Sequence, residues 1–392
     1  MKTKKIVSLL SLILFMVLTY VGLTIRTQAA ESKDVVVEGG YRFLLYYTQA
    51  IQSYAVDGND IYIQQAYSEN EFDEFDDYKT GRVENLVLIS RCQYSAEYDA
   101  YKPVDHMVIR GAGHGQTLEV YSYNGKKYLL VSCGSKKTYN RTLWWSTQIG
   151  RIEYKPGAFI NNSQVKRLTY LNYSNKKSKR FGTTMRVDAA LTPDKSTLVI
   201  WKLNEKGKSE YSAYKFSVVN KEFDRAKNNE VNVKKNKRIK KALVFSTKQY
   251  KLKSRSIQGF AISNKTNGRY NLYVSSGDER YYKLSGISIY KYEIKNGKVR
   301  HRSTARLNAD YVWSSFPPDS EDDGSGDEKE SEESNDEEED YTDDDYTDED
   351  DEDVTFAEIE DLKIVGGDLQ FVVRNTGDAN QQLICTIPQS EF

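Results

Sequence analysis

One pattern recurs five times along the chain, and it restricts the available folds more than any other feature. An apolar residue is followed by an amide or carboxylate, and apolar positions recur two and four residues further on. The copies begin Ile51-Gln52, Leu118-Glu119, Val187-Asp188, Ile257-Gln258 and Ile359-Glu360. Their later positions are Tyr54 and Val56, Tyr121 and Tyr123, Ala190 and Thr192, Phe260 and Ile262, and Leu362 and Ile364, with Thr192 the poorest fit. Turn residues come next (Asp57-Gly58, Asn124-Gly125, Pro193-Asp194, Asn267-Gly268, Gly366-Gly367), then a second β-rich run such as Tyr128-Leu129-Leu130-Val131. Alternating strands joined by such turns are hairpins. The polar positions are spaced by 67 (119−52), 69 (188−119), 70 (258−188) and 102 (360−258) residues. Subtracting the 35-residue acidic run 319–353 from the last interval leaves 67.

About 68 residues is room for four strands and their loops, and four-stranded sheets repeated radially form a β-propeller. The expectation is an all-β, five-bladed propeller, with blades at residues 48–110, 111–174, 182–248, 254–308 and 354–388. The fifth copy lacks its last strand, so residues 41–47 are expected to supply it and close the ring. Two β-sandwiches side by side are the competing architecture, but they predict no common period.

Charge divides the chain in two. The formal net charge of −1 combines 23 acidic residues and one Lys in residues 319–353 with 55 basic and 34 acidic residues elsewhere. A segment of net −22 cannot bury apolar surface or tolerate its own repulsion when compact, so it is expected to be a disordered insertion before the last blade. Residues 1–30 have a secretory layout: Lys2, Lys4 and Lys5, an apolar run from Ile6 to Ile25, then Arg26-Thr27-Gln28-Ala29-Ala30. Cleavage there predicts a secreted, extracellular protein whose non-acidic body carries +17. The run is also long enough to span a bilayer, so an uncleaved anchor is the alternative. Cys92, Cys133 and Cys385 are too few for a disulfide framework. Buried free thiols are expected, with one bridged pair left open.

The inner strands of a propeller line its channel, so Gln52, Glu119, Asp188, Gln258 and Glu360 are expected to form a ring, with His114 near its mouth. Three carboxylates near one axis (Glu119, Asp188, Glu360) suit a glycoside hydrolase. Equally, the ring could cap backbone groups or hold channel water, or bind a ligand without catalysis. His114, with only His106 and His301 besides it, gives no metal site, and the acidic run lacks the turn glycine of an EF-hand. No cofactor is expected, because phosphate-loop, dinucleotide and serine-hydrolase motifs are all missing. Basic stretches at Lys176, Lys177, Lys179 and Arg180, and at Lys234, Lys235, Lys237 and Arg238, read as solvated loops. A secreted basic body meets anionic cell-wall polymers and membrane surfaces first, and secretion argues against nucleic acid. Trp144 and Trp145 could stack on sugars or close a blade.

Gly113-His114-Gly115-Gln116-Thr117-Leu118-Glu119, Tyr128-Leu129-Leu130-Val131 and Trp145-Ser146-Thr147-Gln148-Ile149-Gly150-Arg151-Ile152 resemble the helveticin J-like family of large, class III secreted bacteriocins. Glu358-Ile359-Glu360-Asp361-Leu362 resembles the family's last repeat. The likeness extends over residues 45–388 and is most specific at 113–152. It implies a heat-labile antibacterial protein acting on related Gram-positive cells, with no catalytic residues to carry over. The acidic insertion and the Lys- and Tyr-rich loops depart from the family. A bacteriocin that engages the target envelope is therefore the leading expectation. The alternatives are a propeller glycosidase and a surface lectin or adhesin that does not kill.

The charge split predicts that residues 319–353 compete with wall polymers for the basic loops, the alternative being a solubility tail that touches nothing. A flexible segment of this length spans roughly 30 Å, and the Debye length at physiological salt is about 8 Å. Deleting 319–353 should tighten binding to anionic cell wall at low salt, and the difference should shrink as salt rises. Unchanged or weaker binding at every salt concentration would show that the segment masks nothing.

Overall fold

Each repeat forms one sheet, and its leading hairpin is the innermost part of the blade. The computed structural model describes residues 31–35, 37–45, 49–68, 85–137, 144–249, 257–276, 287–307, 357–375 and 382–392. The expected signal peptide and acidic insertion lie outside these residues. Blade 1 comprises Ile51–Asp57, Asp60–Ser68, Asn85–Ser95 and Ala100–Arg110, and blade 2 Leu118–Tyr123, Lys126–Lys137, Trp144–Glu153 and Lys166–Thr169. Blade 3 comprises Thr184–Leu191, Thr197–Asn204, Ser209–Lys215 and Leu243–Ser246, and blade 4 Phe260–Ile262, Arg269–Ser276, Ser288–Lys295 and Lys298–Leu307. In blade 5, Ala357–Val365, Asp368–Asn375 and Gln382–Ile387 are completed by Glu38–Arg42, which pairs antiparallel with Gln382–Ile387. The turns behave as their sequences require: Asn124 and Gly125 both adopt positive φ, the geometry of a two-residue hairpin that matches strand twist.

The ring is closed by its N-terminal segment, but by residues 38–42 rather than 41–47. Phe43 has already crossed to blade 1, where it bridges to Tyr101 in parallel. Among the described residues, three blades carry a further, parallel outer strand that the repeat did not reveal. Glu31–Val35 lies along blade 4, Phe159–Asn161 along blade 1 and Glu230–Asn232 along blade 2.

The apolar core follows the same division. One cluster fills each seam: Ala55, Val87 and Ile109 with Val120, Leu129 and Val131 between blades 1 and 2, and Leu130 and Ile149 with Val187 and Ile200 between blades 2 and 3. Trp201 and Val199 meet Phe260 and Leu272 between blades 3 and 4, and Ile289 and Ala305 meet Phe371 and Leu369 between blades 4 and 5. Ile51, Tyr54 and Ile63 meet Val372 and Ile384 across the closing seam. Blade 3 also carries two helices, α1 (Phe216–Asp224) and α2 (Lys237–Ala242). Phe216, Val219 and Phe223 of α1 are one helical face and enter the seam between blades 2 and 3. Cys92, Cys133 and Cys385 are buried free thiols.

Candidate functional site

All five residues of the expected ring are buried, but each blade contributes at its own register. Bulges fall at Gln52, between Ile51 and Ser53, and at Glu360, between Ile359 and Asp361. An extra residue turns the following side chains over. Asp361 therefore takes the rank of Glu119 and Asp188, and Glu360 does not. Two successive acids in an otherwise alternating strand are the available signal. Gly259 of blade 4 runs so close to this point that a Cβ there would lie 2.8 Å from the Asp361 Cα.

The axial side chains bond to neighbouring blades. Asp361 Oδ2 accepts from Ser53 Oγ at 2.6 Å and from the Tyr54 amide at 3.2 Å, joining blade 5 to blade 1. Glu119 Oε1 accepts from the Leu191 amide at 3.1 Å, joining blade 2 to blade 3. Thr117 Oγ1 donates to Asp188 Oδ1 at 2.6 Å and accepts from the Ala189 amide at 2.9 Å. Gln258 Nε2 donates to Glu358 Oε1, joining blades 4 and 5. Lys363 Nζ lies 3.1 Å from Asp361 Oδ2 and 3.4 Å from Glu119 Oε1, a bridge between blades 5 and 2. Beyond this layer, at the hairpin end, residues of all five blades (among them Ala55, Glu119, Leu191, Ile262 and Lys363) line a cavity of about 240 Å³.

Burial and the nearby Asp361 charge push the Asp188 carboxyl up to about 7, against the Thr117 hydroxyl, Lys363 and Arg186. Asp361 is also raised, chiefly by burial. Burial opposes the charge on Lys363, but Asp361, Glu119 and Asp188 outweigh it and hold the ammonium above the ordinary lysine value. A carboxyl protonated near neutral pH is the form a general acid takes. Here, however, Asp188 and Glu119 are engaged with a hydroxyl, backbone amides and an ammonium, and Glu360 faces Arg374 Nη1 at 4.0 Å. The partners of Asp188 and Glu119 are the ones a blade staple needs, whereas Glu360 and Arg374 belong to the same blade.

At the opposite mouth, where the inner strands start, two groups of residues that the sequence kept apart come together. Trp145 lies in the strand Trp144–Glu153; the Trp144 side chain is outside the described residues. The Trp145 ring meets His114 edge-on at 4.8 Å, and the Arg186 guanidinium lies 4.1 Å from its centroid. Trp145 thus belongs to the channel mouth and not to a basic outer surface. Burial and the Arg186 charge lower the His114 pKa, so the imidazole is neutral at physiological pH. Burial lowers Arg186 to about 10, opposed by Asp188, Glu360 and Glu358. Arg186, Thr117, Ser53, Glu358, Asp361 and Lys363 all escaped the sequence pattern. Among the described residues, no group of three or more His, Cys, Asp or Glu is arranged to hold a metal ion.

The basic segments lie elsewhere, on the outer part of blade 3. Lys176, Lys177, Lys179 and Arg180 occupy an exposed turn, in which Asn175 Oδ1 accepts from the Lys179 amide at 3.2 Å. Lys234 and Lys235 lead into α2, which carries Lys237 and Arg238 and is capped by Asn236 Oδ1 at the Arg238 and Ile239 amides. The second stretch is therefore partly helical, where a solvated loop was expected, because Ile239 and Ala242 anchor it to the core. Lys234 Nζ sits 4.6 Å from the Tyr173 ring, and the Lys176 amide donates to Ser246 Oγ at 3.0 Å. These two contacts bring both stretches together on one side of the blade.

Raised carboxyl values make a stability prediction. Between pH 3.8, the ordinary aspartate value, and about 7, folded Asp188 keeps a proton that the unfolded chain releases. Its contribution is full below the unfolded value and is lost as pH rises through the folded one, with a slope of up to about 1.4 kcal/mol per pH unit. The stability of wild type minus that of Asp188→Asn, from denaturant melts, should fall across this window. A pH-independent difference would contradict the assignment.

Among solved structures, an exo-β-1,3-galactanase from Phanerochaete chrysosporium is similar at 8% identity and TM-score 0.44, covering 91% of this chain and 65% of its own, so this chain spans less than two thirds of that enzyme. A periplasmic gluconolactonase from Pseudomonas aeruginosa aligns at 11% identity and TM-score 0.35, covering 84% and 70%. The catalytic domain of a Coprinopsis cinerea GH62 α-L-arabinofuranosidase aligns at 11% and 0.36, covering 91% and 96%. Likenesses this distant carry no argument about activity. No curated protein matches the sequence. The family model for bacteriocin helveticin-J, by contrast, matches residues 78–312, more than half of the chain, and the chain belongs to that family.

Proposed function

We propose that this chain is a secreted bacteriocin that captures the envelope of competing Gram-positive bacteria through the basic side of blade 3. Family membership supports the antibacterial reading and, with the layout of residues 1–30, export. The observation that carries the binding surface is the meeting of residues 176–180 and 234–241 through the Lys234–Tyr173 and Lys176–Ser246 contacts. A cleft of about 380 Å³ opens beside it, lined by Arg180, Lys206 and Lys208 together with Glu205 and Gln249. The Glu205 carboxylate is occupied by the Thr183 amide at 2.6 Å. Cations on a structured turn and a capped helix keep their spacing without a partner, so less order has to be imposed when a polyanion binds. Phosphate-bearing wall polymers are the matching ligand class, and membrane head groups share the same charge.

Replacing Lys176, Lys177, Lys235 and Lys237 by Gln tests the reading. At about 1 kcal/mol for each cation near an anionic surface, wall binding at low salt should weaken at least a hundredfold, and inhibition of a sensitive Gram-positive lawn should fall with it. A folded variant that binds and kills like wild type would remove blade 3 from the mechanism. A wild-type protein inactive across a broad panel of related species would remove the bacteriocin reading itself.

A further inference from the structure

Several buried polar groups on or beside the first residues of the inner strands have hydrogen bonds that the fold leaves unmade. Arg186 is 7% exposed, and neither its Nε nor its Nη2 has a hydrogen-bond partner. These two nitrogens form the side-on edge of the guanidinium, the edge with which Arg91 grips Asp105. The Arg186 guanidinium lies 4.1 Å from the centroid of the Trp145 ring. Two more buried groups stand next in sequence to the axial layer: Gln52 Oε1, beside Ser53, and Gln116 Nε2, beside Thr117, both without a partner. Burying such atoms dry is costly, and in native proteins they bond to water or to a ligand.

The mixture of charges narrows the ligand class. An anion drawn to Arg186 would also meet Glu358, Glu360 and Asp188, whose charges are close enough to act on the guanidinium. A cation would meet Arg186 itself. What remains are two donors on one fork, an amide donor and an amide acceptor, and this set matches groups that both give and take a hydrogen bond without carrying charge. Neighbouring hydroxyls of a sugar ring have that property and suit a side-on guanidinium fork. The nearby carboxylates are already engaged: Asp188 by Thr117, Glu358 by Gln258, and Glu360 opposite Arg374. We infer that the channel mouth around Arg186 is a binding site for an uncharged saccharide unit, held by Arg186 Nε and Nη2 with Gln52 and Gln116, and that it binds without cleaving.

This site does not depend on the basic side of blade 3, and one experiment separates them. The full chain is titrated with chitotetraose, maltotetraose and xylotetraose, and with an oligomer of glycerol phosphate as the anionic comparator. Calorimetry and tryptophan fluorescence report binding, and reducing-end release reports cleavage. At least one neutral oligosaccharide should bind and perturb tryptophan emission, with no cleavage. Arg186→Met should weaken that binding about ten- to a hundredfold, as expected for loss of hydrogen bonds from a charged donor. Gln52→Leu is the second variant should the first fail to fold, and it should weaken binding severalfold. The four-lysine variant should bind the neutral sugar as wild type does while losing the glycerol phosphate oligomer. Absence of neutral-sugar binding up to ~10 mM, undiminished binding in both folded mouth variants, or cleavage of the sugar would each overturn the proposal.

Discussion

The innermost strand of a propeller blade is an edge strand, and the whole ring depends on how its exposed side is satisfied. Each pairs with its own hairpin partner and has no further strand beside it at the axis, so its channel-side amides need acceptors from elsewhere. Here the neighbouring blade supplies them through side chains. Glu119 takes the Leu191 amide, Asp361 the Tyr54 amide, Thr117 the Ala189 amide, and Gln382 Oε1 the Ile51 amide at 2.6 Å. Burying several carboxylates this closely would be strongly unfavourable alone, and Lys363 offsets their repulsion from the middle of the group. Two of the acids that suggest hydrolysis when read from the sequence, Glu119 and Asp188, are bolts between blades.

How far the fold could be read from the sequence follows from which forces have a period. Hairpin turns and strand alternation repeat every 67 to 70 residues, so the number of blades and the rank of inner strands were legible. Bulges break that period by one residue, and this is why Asp361 was passed over in favour of Glu360. The parallel outer strands at Glu31–Val35, Phe159–Asn161 and Glu230–Asn232 are short pieces of connecting chain that pair because an open edge lies beside them, a tertiary effect with no local signature. Helix α1 carries an apolar face at Phe216, Val219 and Phe223, but its nine residues include two β-branched valines and no position of the repeat marks it. Arg186 was not legible at all. Its importance comes from Trp145, more than forty residues earlier in sequence but in ring contact.

Blade 3 is where the structural and functional arguments meet. Its inner strand carries Arg186 and Asp188 at the channel, and its outer turn and α2 carry the basic residues at the surface. Between them Lys202, fully buried, donates to Glu210 at 2.9 Å, Ser174 Oγ at 2.7 Å and Ser212 Oγ at 3.0 Å. Ser174 opens the basic turn, so this buried group ties the turn to the sheet beneath it. A surface held from below in this way is suited to a repeating polyanion, while the channel mouth has the smaller, mixed chemistry suited to a single neutral unit.

The central functional claim is that charge on the wall governs capture. The most direct measurement is sedimentation of the protein with purified Gram-positive walls, before and after chemical removal of their phosphodiester polymers. Removal should abolish the salt-sensitive part of binding and leave at most a weak component that salt does not affect. Equal, salt-sensitive binding to intact and stripped walls would contradict the claim.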